Sequence, residues 1–245
     1  MGSAGPLFDN ISTSLPPAID AWFARRQWRP RPHQLQMLEA AENGNSALLI
    51  APTGAGKTLA GFLPTLKALA TQRREGLHTL YISPLKALAV DVARNLTDPI
   101  AEMDLPIKVE TRTGDTPTHK RQRQRYDPPH ILLTTPEQLA LLISHPDAHR
   151  LFGSMKRLVL DELHALVTSK RGELLSLGIA RLAKLSPGLQ ITALSATVAQ
   201  PHMLRDWIAN YDTRNDAMSR QAHAALFERW SGPKQHLASN TTFLG

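Results

Sequence analysis

The sequence predicts a three-layer α/β domain built on a mostly parallel sheet, and three observations carry that expectation. Short apolar, β-rich runs alternate with helical patterns along most of the chain. Several of these runs are apolar at consecutive positions, as expected of strands covered on both faces. Polar or turn-forming residues then follow each run, where open parallel sheets place their ligands.

The elements follow in order. Strands are expected over 46–51, 79–83, 107–111, 131–134, 158–160 and 190–194. Helices are expected over 59–72, 85–102, 136–144 and 173–185, each opened or closed by Pro, Gly, Ser or Thr. Strand followed by helix, repeated, is the pattern of βα units on one sheet. No internal repeat or low-complexity segment interrupts it.

Composition narrows the partners. Of 245 residues, 42% are hydrophobic and 20% charged, enough for an ordinary core and too apolar for a disordered chain. The chain has no cysteine, which excludes disulfide scaffolds, thiolate zinc sites and cysteine nucleophiles. Its longest apolar runs, 47–51 and 139–143, fall far short of the roughly 18 residues of a membrane span. The first six residues carry no basic segment leading into an apolar one, so no signal peptide is visible. A cytoplasmic protein without a membrane partner is expected. The net charge of +7 calls for an anionic partner, nucleic acid first. Lys120, Arg121, Arg123 and Arg125 cluster near Arg112 and His119, as either a solvated helix face or a phosphate-contacting patch.

After the first strand the chain reads Ala51-Pro-Thr-Gly-Ala-Gly-Lys-Thr58, a phosphate-binding loop with Ala in place of the first Gly. Gly54 and Gly56 let successive N–H groups of Thr53–Thr58 (Ala55 included) face one concavity at a helix N-terminus. Lys57 reaches the β- and γ-phosphates of ATP in such a loop, and the Thr58 hydroxyl binds Mg²⁺. Asp161 and Glu162 end a later apolar strand. Opposite a phosphate loop, Asp161 suits the metal and Glu162 the water that attacks the γ-phosphate. Ser195 and Thr197, at the end of the last strand, suit coupling between that site and whatever moves on hydrolysis. Gln34, in Arg31-Pro-His-Gln34, reads either as a solvated residue opening a helix after Pro or as a group that hydrogen-bonds an adenine edge. Lys86, Arg112, Thr113, Gly114, Thr135, Pro136 and Glu137 lie in loops or at helix starts, and suit sugar-phosphate contacts without base readout. His145 and His149 have a metal pair's spacing, but Pro146 and the missing third ligand argue against one. Trp22, Phe23 and Trp28 read as packing residues.

With the phosphate loop, Asp161-Glu-Leu-His164 and Ser195-Ala-Thr197 in that order, the chain resembles the first RecA-like domain of a superfamily 2 DExH-box helicase. Residues 81–91, 111–116 and 132–139 are similar to Lhr-type helicases, and Arg31-Pro-His-Gln34 with 161–166 points to the bacterial ligase-associated branch. The resemblance implies ATP- and Mg²⁺-dependent action on single-stranded or partly duplex nucleic acid, DNA favoured over RNA. It further suggests a repair setting beside DNA ligase-associated proteins. It implies an N-terminal extension over 1–14, a RecA-like ATP-binding domain over 15–210, and a tail over 211–245 that departs from the family. That tail shows no further strand–helix alternation, although 217–230 fits an amphipathic helix. No second RecA-like domain, which would carry the arginine finger, fits into the remaining residues. The expectation is therefore half of a motor, weakly active alone. The competing readings are a non-catalytic nucleic-acid-binding module of the same fold and another P-loop enzyme, whose signatures are missing.

Overall fold

The computed structural model describes residues 14–211 and 241–244. Seven strands form one sheet in the order β3-β4-β2-β5-β6-β1-β7, and every neighbouring pair is parallel. The strands are β1 (Ser46–Ile50), β2 (Thr79–Ile82), β3 (Val109–Arg112), β4 (Ile131–Thr134), β5 (Arg157–Leu160), β6 (Gln190–Ser195) and β7 (Thr241–Leu244). The helices are α1 (Pro17–Arg25), α2 (Pro32–Glu42), α3 (Lys57–Thr71), α4 (Lys86–Glu102), α5 (Thr118–Tyr126), α6 (Pro136–Ile143), α7 (Ala148–Phe152), α8 (Leu163–Val167), α9 (Lys170–Leu185) and α10 (Pro201–Ala209).

Alternate residues of each buried strand enter two cores, one on each sheet face. Leu80 and Ile82 of β2 join Leu48, Leu132, Leu158 and Ile191 beneath α6 to α10. Tyr81, between them, joins Leu49, Leu133, Val159 and Leu194 beneath α1 to α4. Strands wrapped on both sides keep apolar residues at consecutive positions, so their sequence reads as continuous runs. Trp22 and Phe23 pack as expected, and Trp22 Nε1 donates to Glu102 at 2.7 Å, tying α1 to the end of α4. Trp28 instead stays 52% exposed, edge-on to Trp22.

Two expectations need correction. The third strand starts at Val109 rather than residue 107, because Ile107 N turns back onto Leu105 O at 2.7 Å and the ladder with β4 begins at Val109. The chain after residue 211 does supply a strand: β7 lies alongside β1, Ser46 opposite Thr241 and Leu49 opposite Leu244. Its Thr-Thr-Phe-Leu sequence opens on two polar residues and lacks the longer apolar run that marked the other strands, so the sequence pattern did not mark it. The helix expected over 217–230 lies outside the described residues.

Candidate active site

Strand order decides which loops meet. β5, β6 and β1 are neighbours, so the phosphate loop, the Asp161–Glu162 pair and Ser195 converge at one half of the carboxyl edge. β2, β4 and β3 adjoin one another and gather Lys86, Arg112–Asp115 and Thr135–Glu137 at the other half.

The loop after β1 turns through two left-handed glycines, Gly54 at φ 81° and Gly56 at φ 78°, a conformation that costs a residue with a Cβ about 1–2 kcal/mol. An added Cβ at Gly54 would meet nothing within 4 Å, so that side of the loop is open. Lys57, buried at the head of α3, donates to Ala51 O at 2.7 Å. This carbonyl holds the ammonium group at the mouth of the nest, while Thr58 is half-buried beside it. The N-terminus of a fifteen-residue helix adds its own partial positive charge. These residues fit the phosphates of a nucleotide.

Gln34 behaves differently from a free adenine reader. It is buried, accepts from Arg31 N at 2.9 Å, and donates to Gly56 O at 3.4 Å. Arg31 Nη1 reaches Gly54 O at 3.4 Å. The start of α2 thus braces the phosphate loop, a role for Arg31 that its exposed position in the motif did not signal.

Asp161 is nearly buried, and its two oxygens are already engaged: the Tyr81 hydroxyl donates to Oδ2, and Glu162 N donates to Oδ1 at 2.9 Å. Burial and the adjacent Asp161 carboxylate push the Tyr81 hydroxyl far above its ordinary value, so it stays a donor. Tyr81 was not singled out from the sequence, because a strand aromatic in an apolar run reads as core; it is also that, stacked on Phe62 at 5.5 Å. Glu162 takes a left-handed backbone, φ 48°, which turns the chain into α8. Its Oε2 lies 3.5 Å from His164 Nδ1, which lies 3.0 Å from Ser195 Oγ. Ser195 is fully buried and Thr197 exposed. A polar chain therefore links Glu162 to the end of β6. Among the described residues no three His, Cys, Asp or Glu form a metal cage. Mg²⁺ takes one or two protein oxygens together with substrate phosphates and water, and the Thr58 hydroxyl and the Asp161 carboxylate are oxygen donors of that kind.

At the other half, Lys86 Nζ pairs with Asp115 at 2.7 Å, both exposed. Glu137 pairs with Arg171 Nε at 2.8 Å, and Arg171 Nη1 donates to Pro84 O at 2.6 Å. Arg171, from α9, so joins the loops after β2 and β4, and no sequence signal pointed to it. Gly114 is open, while Thr113 N donates to Thr116 Oγ1 at 2.9 Å. Thr135 and Pro136 are buried at the head of α6. Arg112 is buried too: it donates to Arg121 O at 2.8 Å, and burial, then Arg121 and Arg125, lower its guanidinium to about 10. It shapes the loop from within. The basic run on α5 is partly spent as well, Arg123 on Glu110 and Asp127, Arg125 on His145.

A phosphate loop, a paired carboxylate and a polar link to the next strand end, on neighbouring parallel strands, define a RecA-like P-loop nucleotide-binding domain. A family model described as DEAD/DEAH box helicase matches residues 31–204, and the chain belongs to that family. It is 43% identical over 195 residues to the Lhr helicase/probable uracil glycosylase of Mycolicibacterium smegmatis, covering 74% of this chain and 13% of that protein. It is 37% identical over 205 residues to the ATP-dependent helicase Lhr-Core of Methanocaldococcus jannaschii, covering 78% and 24%. The structure of Mycobacterium smegmatis helicase Lhr bound to ssDNA and AMP-PNP matches with a TM-score of 0.72 and 39% identity, over 78% of this chain and 26% of that one. The chain spans about a quarter of those relatives' length or less. The Lhr-type resemblance is borne out.

Proposed function

We propose that this chain is the ATP-binding and ATP-hydrolysing half of an Lhr-type helicase motor that acts on single-stranded or partly duplex nucleic acid, DNA before RNA. The observation that carries the reading is the division of the carboxyl edge: nucleotide groups on β1, β6 and β5, backbone-gripping groups on β2, β4 and β3. A cytoplasmic setting is part of the same proposal; among the described residues no helix is long and apolar enough to cross a membrane. A repair role beside ligase-associated proteins belongs to the same proposal and rests on the motif resemblance.

In this reading the loop N–H groups and Lys57 bind the phosphates, and Gln34 with Arg31 keeps the loop in shape. Thr58 and Asp161 would hold Mg²⁺, which would offset the charge that builds on the phosphate oxygens. Glu162 accepts the proton of the attacking water. His164 and Ser195 relay the state of Glu162 to the end of β6, and Lys86, Gly114 and Glu137 meet the nucleic-acid backbone, with the buried Thr135 shaping the head of α6 beneath them.

The arginine finger of such motors contributes about 10³–10⁵ in rate, and we assign it to a second RecA-like domain. The test is steady-state ATP turnover of this chain, with and without single-stranded DNA, beside a two-domain protein. The expected result is negligible turnover alone and DNA-stimulated turnover in the pair. Robust DNA-stimulated turnover by the chain alone would overturn the half-motor reading; no turnover in either would favour a non-catalytic binding module.

A further inference from the structure

The opposite end of the sheet, where strands begin, carries a cavity of about 880 Å³ that none of these steps uses. Its walls are the segments leading into β2, β3, β4 and β5: residues 73–76, 105–108, 125–128 with His130, and Ser154. A four-residue strand rises roughly 13 Å, so the body of the sheet separates this cavity from the phosphate loop.

Charge there is one-sided. Arg73, Arg74, Lys108, Arg125 and Arg150 line the cavity against two carboxylates, Glu75 and Asp127. Asp127 is already shared between Lys108 and Arg123, each at 3.5 Å. The field reaches neighbouring groups: burial, then Lys108 and Arg73, hold His130 below its usual value. Charge alone suits any polyanion. The aromatic is what discriminates. Tyr126 is 60% exposed, and the Arg125 and Arg150 guanidinium groups lie 5.9 and 6.0 Å from its ring centre. An open ring flanked by cations is a stacking platform for a base whose phosphates the cations hold. An acidic peptide would use the charge but leave the ring idle.

We propose that this cavity is a second binding site for single-stranded nucleic acid, with its cations on the sugar-phosphate backbone and Tyr126 under a base. It is separate from the gripping residues at the carboxyl edge. Stacking and backbone contacts carry no sequence readout, so the site holds a strand without choosing its sequence.

The test is the affinity of the whole chain for a fluorescein-labelled twelve-residue oligothymidylate, read by anisotropy over a range of salt. Arg73 and Arg150 are exposed, so replacing both with Ala leaves the fold intact, which far-UV circular dichroism verifies. Each lost phosphate contact on a single strand lowers the slope of log K against log salt by about 0.7, so the pair should lower it by about 1.4. Arg29 and Arg94 are also exposed and lie outside the cavity; replacing them with Ala removes the same charge and should leave the slope unchanged. Tyr126→Ala should weaken binding roughly tenfold, within the range for base–aromatic stacking. Equal slopes for the two pairs, or an affinity indifferent to Tyr126→Ala, would overturn the site. So would a labelled oligoglutamate whose binding falls with the cavity pair while the oligothymidylate's does not; that would make this a protein-docking face. Lys86→Ala in the same assay reports the carboxyl edge, so a loss there without one here overturns this proposal and spares the other.

Discussion

Lys57, at the end of the loop after β1, and Glu162, in the turn after β5, take two unlike tasks at the same edge of the sheet. Lys57 is held by Ala51 O at 2.7 Å, so its charge is pre-placed before any phosphate arrives. Lys57→Ala removes the cation of the phosphate loop, and charged hydrogen bonds contribute about 1.5–3 kcal/mol each. ATP affinity, measured by titration calorimetry, should fall by roughly tenfold to a hundredfold; an unchanged affinity would sink the nucleotide assignment. Glu162 sits beyond Asp161 on a left-handed turn, facing His164. Glu162→Gln keeps the shape and removes the base, so ATP affinity should persist in the two-domain protein. Turnover there should drop by about 10²–10⁴, the usual contribution of a general base. Tyr81 adds a lesson of the same scale: a core aromatic whose single polar atom steadies a site carboxylate.

At the scale of elements, helix approach is set by glycines whose neighbours differ in kind. A Cβ on Gly172, near the start of α9, would meet the carbonyl oxygens of Leu166 and Val167, each at 2.8 Å. On Gly178, further along the same helix, it would meet Leu139 Cδ2 of α6 at 2.9 Å. Backbone at a helix end has nowhere to go, whereas the tip of a leucine turns aside. Gly178→Ala also gains up to about 1 kcal/mol of helix propensity. Gly172→Ala should therefore cost about 1–3 kcal/mol, as overpacking does, and Gly178→Ala close to nothing. Urea unfolding midpoints of the two variants check the order; equal midpoints would mean that the α8–α9 junction yields more readily than its geometry implies.

For the molecule as a whole, the entrance of the sheet is its acid-sensitive seam. His78 joins three strands there: its N donates to His130 O and its O accepts from Lys156 N, both at 2.9 Å. Burial, followed by Arg157 and Arg74, lowers its imidazole from 6.5 to about 3. The unfolded chain therefore takes up a proton near pH 6.5 that the folded one refuses until near 3. The stability this represents is intact above pH 6.5 and is lost as pH falls toward 3. Between pH 7 and 5, before most carboxylates titrate, the loss from His78 should reach about 2 kcal/mol. Denaturant titrations at both pH values should show it in the wild type and show less in His78→Gln. A wild type equally stable at the two would contradict a buried neutral His78.

How much of this was legible beforehand follows from where each signal lives. The phosphate loop, the Asp161–Glu162 pair and the apolar strands are local: a glycine turn, a strand end and a two-sided burial pattern each leave their mark within a few consecutive residues. So the fold class was readable from the chain by itself, and the proposal for the nucleotide half of the site rests on the same local signals. Strand order was not, because neighbours such as β1 and β6 are more than a hundred residues apart in sequence, and only packing selects them. That order decided which loops share a half of the edge. It also decided that Arg112 lies under its loop, that Tyr81 and Arg171 reach the site, and that a four-residue segment near the end covers β1. A residue's type is a property of the chain, but its burial and its partners belong to the fold, and those long-range contacts assign the roles.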